Sequence, residues 1–267
     1  MSGKLEELKN LLKGMKHVLI AYSGGVDSTF LLKAAADALG GNVLAVIAES
    51  PTYPESEVRF AVAMCERFGV SHRLIKTDEF SDENFVTNPR DRCYFCKKEL
   101  FSKLQAIAKE RGIPYVLDGS NHDDRSDYRP GSRAKNEAGV RSPLMELGFT
   151  KQDIRQFSRE LGLPTWDKPS FACLASRIPY GTRITPEILK RIEEGEGFLR
   201  SLGFKQLRVR HHGHIVRIEV EKEDAARIIR ENLMERISKK FEDLGYIYVT
   251  LDLKGYRTGS MNEGREQ

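Results

Sequence analysis

His17-Val18-Leu19-Ile20-Ala21-Tyr22-Ser23-Gly24-Gly25-Val26-Asp27-Ser28-Thr29-Phe30-Leu31-Leu32 is the stretch around which the chain is organised. Val18 to Tyr22 make an apolar run of strand length and Thr29 to Leu32 open a helix, so Ser23 to Ser28 turns the chain between them. Two glycines let that turn bend tightly and approach a ligand, because neither carries a Cβ. The N–H groups of the helix's first turn have no intrahelical partner, and the helix dipole puts partial positive charge there. Ser23 and Ser28 add hydroxyl donors. A junction of this kind holds an anion, phosphate above all.

The turn is neither the GxxxxGK[ST] loop nor the GxGxxG dinucleotide turn. Ser23-Gly24-Gly25-Val26-Asp27-Ser28 resembles the PP-loop of the ATP pyrophosphatases. That resemblance implies that these six residues grip the β- and γ-phosphates of ATP while AMP passes to a substrate carboxylate or carbonyl. It also implies that Asp27 contributes to Mg2+ binding, directly or through water, a hard oxygen ligand suiting that ion. A glycine turn before an ordinary helix cap is the plainer reading, and six matched residues between strand and helix outweigh it.

With 267 residues, 40% hydrophobic and 31% charged, the chain has the composition of a globular protein and is long enough for one large or two modest domains. No run of about eighteen apolar residues occurs, and Met1 to Lys16 reads as a charged amphipathic helix rather than a signal peptide. A cytoplasmic protein without a membrane partner is expected. The net charge of +4 permits nucleic acid without demanding it, since a local basic site serves a small anion equally well.

Further apolar strands are read at Asn42 to Ala48, His72 to Lys76 and Tyr115 to Leu117, alternating with helices from Pro54 to Phe68 and from Arg92 to Arg111. Alternation of this kind predicts an α/β fold with a doubly wound parallel sheet and the ligand at the carboxyl ends of its strands. His122 to Arg141 reads as a long loop, followed by a helix from Thr150 and the irregular, proline-rich run Leu163 to Arg177. Beyond a helix opening at Thr185-Pro186, a hairpin of Leu207 to Arg210 and Ile215 to Val220 turns through His211-His212-Gly213-His214. A helical stretch from Glu223 to Leu244 and a strand at Tyr246 to Leu251 complete a smaller α+β domain. The expected division is 1–180, 181–257 for substrate binding or oligomerisation, and a disordered tail 258–267, with the boundary near Ile178 to Thr185.

Of the four cysteines, Cys65 lies on the apolar face of its helix and is expected to pack. Cys93 and Cys96 enter a helix, where the dipole favours the thiolate, and Cys173 lies in the irregular run. No second CxxC or HxxxH completes a zinc site. Three such thiolates suit a [4Fe-4S] cluster with one iron left open, although clusters more often have four closely spaced cysteines. His211, His212 and His214 are more readily solvated turn residues than metal ligands.

The PP-loop, the Asp118-Gly119-Ser120-Asn121 turn, the segment Pro169-Ser170-Phe171-Ala172-Cys173-Leu174-Ala175-Ser176-Arg177 and the Arg208-Val209-Arg210 pair together resemble the LarE family. Its members are ATP-dependent sulfur transferases that make the nickel-pincer nucleotide cofactor for lactate racemase maturation. The likeness spans nearly the whole chain. It implies that pyridinium-3,5-biscarboxylic acid mononucleotide is adenylylated and its carboxylates are then converted to thiocarboxylates. In members with only the cysteine matching Cys173, that residue gives up its sulfur and becomes dehydroalanine. In members with the added CxxC, Cys93, Cys96 and Cys173 would hold a [4Fe-4S] cluster carrying an extra sulfide, reloaded by a sulfide or sulfur donor. The family position also puts Glu196 near the metal or sulfur step and implies a homo-oligomer, a hexamer.

A phosphate and two carboxylates on one substrate call for cations. Arg208 and Arg210, two apart on a strand and so on one face, can clamp the phosphate, with Ser176 and Arg177 beside Cys173 assisting. The rival readings are a tRNA-thiolating PP-loop enzyme with a [4Fe-4S] cluster, amidation of a small acid, and a non-enzymatic ATP-binding protein. The first would need a broad basic surface, and the second leaves the three cysteines without a role.

Overall fold

A computed structural model of the chain describes residues 2–125, 130–169, 172–257 and 260–262. The chain divides into two compact units, Met1–Phe85 with Arg90–Phe171, and Val86–Pro89 with Ala172–Gln267.

The first unit alternates strands and helices: α1 (Ser2–Met15), β1 (Val18–Ala21), α2 (Val26–Leu39), β2 (Val43–Glu49), α3 (Glu55–Phe68), β3 (Ser71–Lys76), the short α4 (Glu83–Val86) at its edge, α5 (Arg92–Glu110), β4 (Tyr115–Leu117), α6 (Pro130–Glu137), α7 (Pro143–Glu146) and α8 (Lys151–Glu160). The four strands run parallel in the order β3-β2-β1-β4, Val18 standing opposite both Val43 and Tyr115. Successive strand residues face opposite ways, so both faces must be covered. Val18, Ile20, Val43 and Ile47 join Leu8 of α1, Phe30 of α2 and Phe157 of α8 in one core, while Leu19 and Val46 join Phe101 and Leu104 of α5 in another. The sheet is doubly wound, as expected.

Phe30 stacks on Phe157 at 5.9 Å and meets Phe149 at 5.6 Å, tying α2 to α8. Each buried ring contributes about 1.5–3 kcal/mol. The start of α8 is held by a capping box between Thr150 and Asp153, and Lys4 of α1 donates to Asp153 Oδ2 and to the Gly148 carbonyl. Cys65 is fully buried in the first core, and burial pushes its thiol up to about 12, which fits packing.

The expected long loop at 122–141 instead contains a 3-10 turn at His122–Arg125 and α6. Composition conceals that helix because tertiary contacts stabilise it: Ala134 enters the second core and the buried Lys135 donates to Ser142 Oγ at 2.8 Å. Residues 126–129 lie outside the described residues.

The second unit holds α9 (Pro186–Ser201), β5 (Leu207–His212), β6 (Ile215–Val220), α10 (Lys222–Arg230), α11 (Met234–Asp243) and β7 (Tyr248–Leu251). β5 and β6 are an antiparallel hairpin, and β7 runs parallel to β6. The helical stretch expected from Glu223 to Leu244 breaks at Asn232, which has φ +52°. The division between units falls at Ala172 rather than near residue 180. Asn88 is the reason: its side-chain amide donates to the Pro179 and Thr182 carbonyls at 2.8 and 3.1 Å, and Ile184 N–H donates to Val86 O at 2.8 Å, so 172–184 and 86–89 pack together. Of the tail expected to be disordered, Ser260–Asn262 forms a turn and Ser260 is buried. The remaining tail residues, 258–259 and 263–267, lie outside the described residues.

His211 and His212 lie within β5, not in the turn. The His211 ring is buried, 3.2 Å from the Tyr246 hydroxyl through Nδ1, and burial, then Arg191, lowers its pKa to about 4 from 6.5. Unfolded chains therefore bind this proton between about pH 6.5 and 4 while folded ones do not, so stability falls as the pH drops through that window. His211→Gln is expected to reduce the dependence of the urea midpoint on pH between 6.5 and 4, the rest of that slope coming from His212, whose pKa burial also lowers, while leaving a slope below 4; an unchanged profile would count against it.

Candidate nucleotide and sulfur-transfer site

In the first unit β1 ends at Ala21, and Tyr22-Ser23-Gly24-Gly25 leads into α2 at the carboxyl edge of the sheet. Gly24 has φ +69°, the left-handed region that side chains avoid. Gly25 caps α2 without a side-chain hydrogen bond, so the cap leaves the first-turn N–H groups to a ligand. Ser23 Oγ and Ser28 Oγ are 3.1 Å apart, and a Cβ on Gly25 would come within 3.4 Å of the first and 4.0 Å of the second. Glycine thus keeps open a hollow lined by two hydroxyls at a helix N-terminus. The Asp118-Gly119-Ser120-Asn121 turn closes one side: a Cβ on Gly119 would stand 2.9 Å from Ser28 N, and Asp118 accepts from Ser120 and Ser142 hydroxyls. Beside the loop, a cavity is lined by Tyr22, Ala48, Tyr53, Glu57, Lys97 and Leu100.

Asp27 projects from the first turn of α2 and its Oδ2 pairs with Lys151 Nζ at 2.5 Å. Burial raises its carboxyl above the ordinary range, against the pull of Lys151 and with a smaller contribution from Asp124. Its Oδ1 is buried and makes no hydrogen bond among the described residues, with Asn121 near enough to favour the ionised form. A buried carboxylate oxygen with an open lone pair beside the Ser23–Ser28 hollow fits Mg2+, which keeps most of its ligands as water and phosphate oxygens.

Two lysines at this loop are not singled out by the sequence. Lys151 reads there only as part of a helix start, and its pairing with Asp27 bridges 124 positions. Lys168 Nζ donates to Gly24 O at 3.1 Å and to Glu57 Oε2 at 2.7 Å, 4.0 Å above the Phe60 ring. Its one signal in the sequence is a place in the irregular run before Cys173.

Cys93 and Cys96 lie one turn apart at the start of α5, the first exposed and the second partly so. No acidic side chain stands in that first turn, which suits thiolates. Thiolates are the donors an iron–sulfur cluster takes. Cys173, partly exposed, belongs to the second unit; Ser170 and Phe171 of its segment lie outside the described residues. Among the described residues, no group of three or more His, Cys, Asp or Glu is arranged to hold a metal ion.

In the second unit Cys173 precedes the 3-10 turn Leu174–Arg177, and Arg177 knots that turn. Its Nη1 donates to the Ala172 and Cys173 carbonyls at 2.6 and 3.1 Å and to Ser176 Oγ at 2.9 Å. Its Nε and Nη2 donate to Glu196 Oε1 and Oε2 at 2.8 and 3.2 Å, both side chains fully buried. Glu196 also accepts from Arg200 Nη2 at 2.8 Å and from Val209 N–H at 3.3 Å. Arg177 is thus a buried staple of the cysteine turn, where sequence placed it beside the anion.

Arg208 and Arg210 are buried rather than on a solvated strand face. Arg208 stacks over Tyr256 at 5.0 Å, and burial, then repulsion by Arg177, pushes its pKa down to about 10, so it stays charged at neutral pH. Arg210 donates to Ser176 O, Glu219 Oε2 and Ser260 Oγ at 3.1, 3.0 and 2.9 Å, while its Nε is buried without a hydrogen bond among the described residues. Arg177, Arg200, Arg208, Arg210 and Arg217 outnumber Glu196, Glu219 and Asp252, which stands 3.5 Å from Arg217, a surplus that an anion would balance.

A parallel sheet with a glycine-lined hollow where its first strand meets its helix is the arrangement of an ATP-utilising PP-loop α/β protein, and residues 6–100 match a family model described as NAD synthase. A Lactiplantibacillus plantarum protein named pyridinium-3,5-bisthiocarboxylic acid mononucleotide synthase is 40% identical over 98% of this chain and 95% of its own. An uncharacterized Synechocystis protein is 45% identical over 98% of both chains. A chain of the glutamine-hydrolyzing GMP synthase of Thermoplasma volcanium is 26% identical over 61% of this chain and 56% of its own. The chain belongs to the pyridinium-3,5-bisthiocarboxylic acid mononucleotide synthase family, the LarE family.

Proposed function

We propose that the protein is an ATP-dependent sulfur transferase that adenylylates pyridinium-3,5-biscarboxylic acid mononucleotide and converts its carboxylates to thiocarboxylates. Similarity to the named synthase along nearly the full length of both chains carries this reading. ATP would lie with its terminal phosphates on Ser23, Gly24, Gly25, Val26 and Ser28 and its adenosine in the adjoining cavity. Asp27 would hold Mg2+, which supplies charge neutralisation at the phosphates. A substrate carboxylate oxygen attacks the α-phosphorus, the bond to the bridging oxygen breaks, and pyrophosphate leaves. The first-turn N–H groups of α2 accept its charge. Arg208 and Arg210, with Ser176, would hold the substrate's phosphate. Glu196 serves by fixing Arg177, and through it the Cys173 turn.

Cys93, Cys96 and Cys173 would hold a [4Fe-4S] cluster, which when bound supplies the sulfur. The other route consumes Cys173: its sulfur joins the acyl carbon as AMP leaves, the Cβ–S bond then breaks with loss of the Cα proton, and dehydroalanine remains. An external sulfide or sulfur donor, a hexameric assembly and a place in the cytoplasm belong to the same proposal. Among the described residues no helix is long and apolar enough to cross a membrane.

Anaerobically purified protein given ATP, Mg2+ and the biscarboxylate should release pyrophosphate and yield the AMP ester by mass spectrometry. Pyrophosphate release only when tRNA is added would favour the tRNA-thiolating alternative instead. Iron and sulfide analysis with intact mass separates the sulfur sources: a colourless protein lighter by one H2S after turnover means that Cys173 is consumed. Cys173→Ala should retain pyrophosphate release and form no thiocarboxylate on either route. A product still carrying sulfur would exclude Cys173.

A further inference from the structure

We infer that Lys168 is a positioning residue that sets the Gly24–Gly25 peptide of the phosphate loop, so that the grip on pyrophosphate depends on a side chain 144 residues away in sequence. The inference rests on the ATP-utilising reading of that loop and concerns how the loop acquires its shape.

Gly24 is the residue at which the loop leaves ordinary backbone space, with φ +69°, and a free glycine there has many competing conformations. The Lys168 ammonium fastens its carbonyl oxygen at 3.1 Å. Peptide bonds among the described residues are trans, so the N–H of Gly25 points opposite to that carbonyl, away from the ammonium. Fixing one end of the peptide aims the other, at the residue whose missing Cβ leaves the Ser23 and Ser28 hydroxyls uncovered. The donor is thereby oriented before any phosphate arrives, and its orientation costs nothing at binding.

Lys168 is itself held. Glu57 Oε2 takes a second ammonium proton at 2.7 Å, and the Phe60 ring lies 4.0 Å from Nζ. Arg155 donates to the carbonyls of Trp166 and Lys168 at 2.7 and 2.8 Å, fixing the backbone from which the side chain reaches. Ion pairing with Glu57 largely cancels the lysine's charge, so its effect on an anion comes through the peptide rather than through its field. Glu57 also lines the cavity beside the loop, so one ammonium links the phosphate end to the cavity wall.

Calorimetric titrations of the full chain with pyrophosphate, ATP and AMP, each with Mg2+, test this. Lys168→Met is expected to weaken pyrophosphate and ATP about tenfold and AMP less than twofold, and Lys168→Arg to recover most of the loss. If Lys168→Met folds poorly, the Glu57→Gln/Lys168→Met pair, which leaves no unpaired carboxylate, carries the same expectation when read against Glu57→Gln alone, because Glu57 lines the cavity. Unchanged pyrophosphate affinity, or equal weakening of AMP and pyrophosphate, would overturn the role. If the unaltered protein binds neither ATP nor pyrophosphate, the nucleotide reading itself fails.

Discussion

Asp27→Asn is expected to slow pyrophosphate release by about 10²–10³-fold, the size of effect seen when one preorganised charge-stabilising group is removed from an active site. The substitution keeps the shape of the side chain but removes the charge that pairs with Lys151, and with its one remaining oxygen turned to the Lys151 ammonium it sets an NH2 donor where Oδ1 offers a metal ion a lone pair. Its effect on folding should be small, because the Lys151 ion pair is partly exposed, at 30% and 22%, and such pairs contribute about 1 kcal/mol or less. Steady-state pyrophosphate release alongside thermal unfolding distinguishes the two. A variant within threefold of the normal rate would remove Asp27 from the chemistry.

Glu196→Ala is expected to act through stability, costing about 3–5 kcal/mol, because it strands the fully buried Arg177 guanidinium without its carboxylate. Urea unfolding should show a large fall in midpoint, and the Cys173 turn should loosen because Arg177 no longer has a fixed base from which to hold the Ala172 and Cys173 carbonyls. Glu196→Gln, which can still accept from Arg177, should cost less. Burial alone would raise the Glu196 carboxyl, but Arg177 and then Arg200 more than offset this and hold it below the ordinary value of 4.5. A carboxyl with a depressed folded pKa contributes stability above its unfolded value and loses it as the pH falls through the folded one. The Glu196 contribution is therefore complete at neutral pH and disappears only below about pH 4.5. A variant as stable as the parent would mean that Arg177 finds another partner.

The first unit is legible because its signals are local. Val18 to Tyr22, the two glycines and the helix opening at Thr29 lie consecutively, and strand–helix alternation repeats through Leu117. The same reasoning places Cys93 and Cys96 at a helix entry, and α5 begins at Arg92. Less is legible where a side chain's role depends on what packs around it. Arg177, Arg208 and Arg210 carry no mark of burial in the sequence, since arginine is ordinarily exposed. Only the approach of α9 and β6 supplies the carboxylates of Glu196 and Glu219 that let them be buried. The same holds for His211, which alternation puts in a turn and Tyr246 draws into the core.

By itself the sequence determined a glycine-bearing junction between strand and helix, a parallel sheet to carry it, and two thiols at a helix entry, because each follows from neighbours a few positions apart in the chain. Tertiary structure alone decided which charges meet: Lys151 with Asp27, Lys168 with Gly24 and Glu57, Arg177 with Glu196. Those pairings join residues 19 to 144 positions apart, and no local pattern encodes which distant charge a buried one will find.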